Sequence, residues 1–287
     1  MNKVKVFLEM IKFEHTIFAL PFAYMGAILA SIVSNDALPS WAQIGWVTLA
    51  MVGARSAAMG LNRLIDAAID AENPRTALRA IPAGLLSKKE VLLFIAASFV
   101  LLFVAAAQLN PLCVKLLPIA VFFLTFYSYT KRFTWLCHVV LGLTIGLAPL
   151  GGWIAVTGAF DVPALVLYAA VAFWIAGFDI LYACQDAEFD REKGLHSIPQ
   201  RFGVARALRI ARWFHVATAI GLVSIWLLAD LNWIYLIGLA IAYVALFNQH
   251  RLVKPGDLSR INTAFLTMNG ILSLVMFTFT LIDVAVL

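Results

Sequence analysis

The sequence predicts an all-α, polytopic membrane protein with nine transmembrane helices in a single bundle around a central cavity open to the cytoplasmic side. Three observations carry this reading. The 287 residues are 63% hydrophobic and only 13% charged, with a mean hydropathy of +0.91, whereas soluble domains carry roughly a quarter charged residues. The apolar residues fall into runs of helical length, about 20 residues each, as a hydrocarbon core requires. Two of these runs end in polar residues, mostly acids, spaced about one helical turn apart: Asn62-x-x-x-Asp66-x-x-x-Asp70, and Asp179, Tyr182, Asp186 and Asp190.

Taken in order, the spans fall near 14–34, 41–67, 89–108, 111–130, 136–158, 163–187, 205–229, 231–250 and 263–286. The first apolar run, Thr16 to Val33, is read as a retained helix rather than a signal peptide, because of its length and the many spans that follow it. The linkers at 35–40, 109–110, 159–162 and 230–231 are short and contain no Lys or Arg. The alternate set is basic: Lys3, Lys5 and Lys12; Arg75, Arg79, Lys88 and Lys89; Lys131 and Arg132; Arg191 through Arg212; and Arg251, Lys254 and Arg260. The positive-inside rule therefore puts the N-terminus and the long loops in the cytoplasm. Only Lys115 lies toward the other side, and an odd number of spans puts the C-terminus there too. The net charge of +5 follows this topology and does not point to nucleic acid. Cys113, Cys137 and Cys184 are far apart and lack C-x-x-C spacing, so they read as packing residues.

The chain reads as a single domain over 1–287. A shift of 120 residues lays Asn62 on Tyr182, Asp66 on Asp186 and Asp70 on Asp190, and a loop with Ile81-Pro82 or Ile198-Pro199 follows each motif. Two four-helix units, about 41–158 and 163–286, would account for this repeat, with the site at their interface.

On a helix, Asn62, Asp66 and Asp70 share one face. Like charges at that spacing repel unless something positive lies between them. Carboxylates without Cys or His partners suit a hard cation. Mg²⁺ takes one or two carboxylates and completes its shell with water and substrate phosphate. Asp66, Asp70, Asp186 and Asp190 are therefore the candidate metal ligands. The bland alternative is exposed helix ends whose acids merely pair with nearby arginines. Arg55 lies on the same face as Asn62, roughly 16 Å of helix rise from Asp66. Inside a bilayer it needs a partner or a cavity, so it either binds an anionic substrate group or pairs with Asp179 or another intramembrane acid. Asp179 faces the same cavity more deeply and is suited to orienting or deprotonating a hydroxyl. Tyr182, between Asp179 and Asp186, can offer its hydroxyl. Tyr127 and Lys131 sit one turn apart; Lys131 and Arg132 are phosphate ligands or ordinary interfacial anchors, and Arg75 and Arg79 are further phosphate candidates. His15, His138, His196, His215 and His250 show no ligand spacing and are assigned no catalysis. Gly142-x-x-x-Gly146, Pro149 and Gly151-Gly152 make the fifth span thin, for close helix packing or for a lipid-tail groove.

Together these motifs resemble the UbiA superfamily of intramembrane aromatic prenyltransferases. Asn62-x-x-x-Asp66-x-x-x-Asp70, Asp186-x-x-x-Asp190 and Tyr127-x-x-x-Lys131 match its three signatures. Asn73-Pro-Arg-Thr, Tyr129-Thr-Lys-Arg-Phe and Asp179-Ile-Leu-Tyr-Ala-Cys-Gln-Asp look like its 4-hydroxybenzoate polyprenyltransferase branch. Arg63 stands where many relatives carry an additional Asp, so the first motif has one carboxylate fewer. The resemblance implies Mg²⁺-dependent transfer of a polyprenyl group from a polyprenyl diphosphate to an aromatic acid, in ubiquinone synthesis at a bacterial inner membrane. In that scheme the catalytic residues are Asp66, Asp70, Asp179, Asp186, Asp190 and Lys131. Asn62, Arg75, Arg79, Tyr127, Arg132 and Tyr182 help bind substrate, and Arg55 holds the aromatic carboxylate. A dihydroxynaphthoate acceptor, leading to menaquinone, is the alternative within the family. A transporter using intramembrane acids is the rival from another class.

Overall fold

The computed structural model describes residues 2–12 and 16–286; His15 lies outside them. Thirteen α-helices follow one another, and no strand occurs among the described residues. Helix α1 is Lys3–Met10, α2 Thr16–Asn35, α3 Trp41–Ile65, α4 Ala67–Glu72, α5 Lys88–Leu109, α6 Pro111–Thr130 and α7 Cys137–Thr157. Then come α8 Val162–Ala183, α9 Ala187–Glu192, α10 Ile198–Phe202, α11 Val204–Leu228, α12 Trp233–Leu252 and α13 Asn269–Val286. Among the described residues, eight helices are long and apolar enough to cross a membrane. Helix α2, 20 residues long and apolar, stands at the position of the first expected span. The chain is an integral membrane protein.

Helix ends follow local chemistry. Ser40 with Gln43 and Ser87 with Glu90 form capping boxes that open α3 and α5. Asn110 accepts from the Leu112 and Cys113 amides to start α6, and its Nδ2 donates to the Ile154 carbonyl near the end of α7. One side chain thus starts one helix and ties it to the end of another. Asp283 is 1% exposed in α13. It accepts from the Asn232 and Tyr235 amides at the start of α12, where a helix N-terminus favours an anion.

Helix α3 packs on α5 and α6, α6 on α7, α7 on α8, and α8 on α11. Helix α11 leads through α12 to α13, which returns to α2 and closes the ring. Helix α7 packs most tightly: a Cβ on Gly142 would lie 2.2 Å from the Ala172 carbonyl oxygen of α8, and one on Gly152 would lie 2.1 Å from the Ala23 oxygen of α2. Gly151 has no heavy atom within 4 Å of such a Cβ and lines an apolar cavity instead. Close packing and a groove therefore coexist on one helix.

The short helices α1, α4, α9 and α10 are additions to the nine expected spans. Helix α1 is amphipathic: Val6, Phe7, Met10 and Ile11 are buried against Ala80, Leu86, Val91 and Ile95.

Candidate active site

Both motif-bearing helices break at their central acid. Helix α3 ends at Ile65, and Asp66 leaves the helical range at φ −88° and ψ 3° before α4 begins. Helix α8 ends at Ala183, a 3₁₀ turn covers Cys184–Asp186, and Asp186 sits at φ −100° and ψ 1° before α9. The straight ladders expected from spacing are therefore bent at equivalent points.

Each acid has partners. Asn62 Nδ2 donates to Asp66 Oδ2 at 3.0 Å, and Lys131 Nζ lies 3.1 Å from the same oxygen. Arg132 donates to Asp66 Oδ1 at 2.9 Å and to the Ile65 carbonyl at 2.9 Å. The cationic end of α6 therefore covers the C-terminus of α3, where a helix favours positive charge. Arg79 grips Asp70 through Nη1 at 2.7 and 2.8 Å. Arg75 crosses to the other motif in a bidentate pair with Asp186, Nε to Oδ1 at 3.0 Å and Nη2 to Oδ2 at 2.6 Å. Arg75 also lies over the Tyr182 ring, 5.6 Å from its centroid. Asp190 accepts from Ser197 Oγ at 2.8 Å. A guanidinium from the first motif's loop thus spans to the second motif, so the two acidic ends face each other.

Twelve of the thirteen predicted site residues line one cavity of about 850 Å³. The exception, Arg132, acts on it through Asp66. Tyr127 lines the cavity too, but its hydroxyl donates to the Ala58 carbonyl at 3.1 Å, which ties α6 to α3. A second cavity of about 410 Å³ extends from the first. The two share Ala19, Arg55, Met59, Tyr127, Leu141 and Ile145, and beyond Arg55 and Tyr127 the second is walled almost wholly by apolar side chains. Arg55 stands at the junction, its Nη2 donating to the Lys12 carbonyl at 3.4 Å.

Sequence reasoning passed over two residues. His138 Nδ1 lies 2.6 Å from Asp179 Oδ2, and its Nε2 accepts from the Ile198 amide at 3.3 Å. A backbone N–H can only donate, so the Nδ1 proton points at Asp179 and the tautomer is set. Residues 138 and 179 lie 41 positions apart, so no local spacing announces the pair. Arg63 lines the cavity, with Nη1 donating to Asn62 Oδ1 at 3.1 Å and Nε to the Met10 carbonyl at 3.4 Å. By occupying the Asn62 carbonyl it turns the amide nitrogen toward Asp66. The carbonyl end of α1 thus accepts both Arg55 and Arg63.

Among the described residues no three His, Cys, Asp or Glu side chains converge as a ready-made metal cage. The donor set is two pairs of carboxylates, with all-oxygen chemistry. That fits Mg²⁺, which binds through few protein carboxylates and fills its shell with water and substrate phosphates.

The chain belongs to the UbiA prenyltransferase family, which it matches over residues 19–276. It is 32% identical over 217 residues to the 4-hydroxybenzoate octaprenyltransferase of Nitrosospira multiformis, covering 76% of this chain and 74% of the relative. Against the protein of the same name from Marinomonas sp. it is 28% identical over 274 residues, covering 94% and 95%. The apo structure of a UbiA homologue from Aeropyrum pernix K1 superposes with a TM-score of 0.85 at 31% identity, over 94% of this chain and 98% of that one. A UbiA homologue from Archaeoglobus fulgidus bound to GPP and Mg²⁺ shares the fold, with a TM-score of 0.76 at 24% identity over 98% and 99% of the two chains.

Proposed function

We propose that this protein transfers a polyprenyl group from a polyprenyl diphosphate to 4-hydroxybenzoate, as a step toward ubiquinone. The observation that carries the proposal is one polar cavity, faced by two acidic motifs and six cationic side chains, that runs into an apolar one. The apolar cavity takes the prenyl tail, and the polar one takes the diphosphate and the aromatic acid. The names of the relatives support the choice of acceptor.

Asp66, Asp70, Asp186 and Asp190 would hold Mg²⁺, which when bound supplies Lewis-acid stabilisation of the leaving diphosphate. Lys131, Arg75 and Arg79 contribute fixed positive charge to the same group. The allylic C–O bond breaks with its electron pair going to the diphosphate. The phenol ring then attacks the allylic cation at the carbon beside its hydroxyl, and the proton on that carbon passes to the released diphosphate. Asp179, with Oδ2 held by His138, presents its other oxygen to orient the phenol hydroxyl. Arg55, at the junction of the cavities, holds the aromatic carboxylate. Apolar walls keep water from the cation.

A carrier would be expected to place its acids mid-span, whereas here they lie at helix ends next to basic loops. The test is an acceptor panel with Mg²⁺ and one radiolabelled long-chain polyprenyl diphosphate. Prenylated 4-hydroxybenzoate is the expected product. Labelled product on a dihydroxynaphthoate alone would replace the acceptor, and label crossing the membrane without any product would replace the reaction. The expected orientation, with the N-terminus and the motif loops cytoplasmic, is read by cysteine labelling of intact cells.

A further inference from the structure

We propose a binding site for an anionic phospholipid on the outer wall of the bundle, between α11 and α12. A groove of about 450 Å³ lies there, at the same end of the bundle as the acidic motifs, and it shares no lining residue with the two central cavities. Arg212 of α11 and Arg251 of α12 line it together with His250. Arg212 has no hydrogen bond or ion pair among the described residues, and Arg251 meets only the Phe247 ring, 5.8 Å from its centroid. The rest of the groove is walled largely by apolar side chains, including Val216, Leu246 and Phe247. Val216 is 41% and Phe247 64% exposed, on a surface that faces lipid in a membrane. Two guanidinium groups above an apolar trough complement a phosphate above an acyl chain. Free phosphate would use only the upper half.

The histidines add a third recognition element. His215 is 3% exposed, and Gly177 makes room for it, since a Cβ there would lie 2.4 Å from the ring. His215 Nε2 donates to the Trp174 carbonyl at 3.3 Å, so its Nδ1 accepts from His250 Nε2 at 2.9 Å. That bond fixes the His250 tautomer and leaves its Nδ1 as an acceptor with no partner among the described residues. Phosphatidylglycerol offers the matching pair of groups, a phosphate and headgroup hydroxyls.

The full chain, purified in neutral detergent, is exchanged against equal amounts of dioleoylphosphatidylglycerol and dioleoylphosphatidylcholine, and the lipid retained after gel filtration is quantified. Preferential retention of phosphatidylglycerol is expected, falling about tenfold in Arg212→Gln/Arg251→Gln. Arg206→Gln/Arg209→Gln, with the same change of charge outside the groove, should retain it within about twofold. Val216→Trp keeps both arginines but fills the trough, and it should lose the lipid as well. Equal loss in both double variants overturns the site, as does undiminished retention in Val216→Trp. Displacement by an excess of inorganic phosphate would also overturn it, by showing a phosphate site without the lipid.

Discussion

The two acidic motifs share one geometry and differ in how their charge is held. Asp66 and Asp70 are almost wholly buried, with side chains 4% and 5% exposed, and together they meet three cations. Asp186 is 19% exposed and meets one guanidinium, lent by the opposite motif, while Asp190 has only a hydroxyl. The first motif is therefore part of what holds α3, α4 and α6 together. The second is more open: the Arg75 side chain is 35% exposed, and Asp186 is held by that guanidinium and by the Asn73 amide at 3.4 Å. Both break the helix at the central acid, Asp66 in one and Asp186 in the other.

Chelating divalent metal should abolish prenyl transfer, by about 10³-fold or more, with Mg²⁺ restoring it; full turnover in excess chelator would remove the metal role from both motifs. Asp66→Asn and Asp186→Asn should each lower kcat by about 10²- to 10³-fold. Their stabilities should separate. Asp66→Asn strands Lys131 and Arg132 near a buried site and should cost about 2 kcal/mol, discounted from a fully buried pair because both cations are about a third exposed. Asp186→Asn should cost about 1 kcal/mol or less, since Arg75 can turn to solvent. Thermal unfolding in detergent reads the difference, and the reverse order would refute the asymmetry. His138→Gln should lower kcat by about 10- to 100-fold through misplacement of Asp179, with little change in KM for the prenyl diphosphate. Ser197→Ala should have the smallest effect, a few-fold in kcat, because one neutral hydrogen bond contributes about 1 kcal/mol.

Run length and charge made the long helices legible. The expected span 111–130 coincides with α6, and 263–286 covers a π-helical turn at Thr263–Met268 together with α13. Helical spacing grouped Asn62 with the acids, and Lys131 with Tyr127, and these residues do line one cavity, although each acidic motif is split between two helices. What was hidden depends on contacts between distant segments. Helix α1 owes its place to packing against Leu86, Val91 and Ile95, and α9 and α10 are single turns propped by neighbours. The kinks at Asp66 and Asp186 are not foretold by any Gly or Pro at those positions. His138 acquires meaning only when α7 meets α8, which Gly142 permits and the sequence around His138 does not reveal.

The Arg75 bridge bears on what happens between catalytic cycles. With Arg75, Arg79, Lys131 and Arg132 balancing three of the four acids, the resting protein is already electrically quiet. On the proposed reading it has no need to keep a magnesium ion: the ion would enter with the polyprenyl diphosphate and leave with the pyrophosphate. Once they have gone, the same arginines and lysine can pair again with the carboxylates, so the site would be charge-balanced before another lipid donor enters.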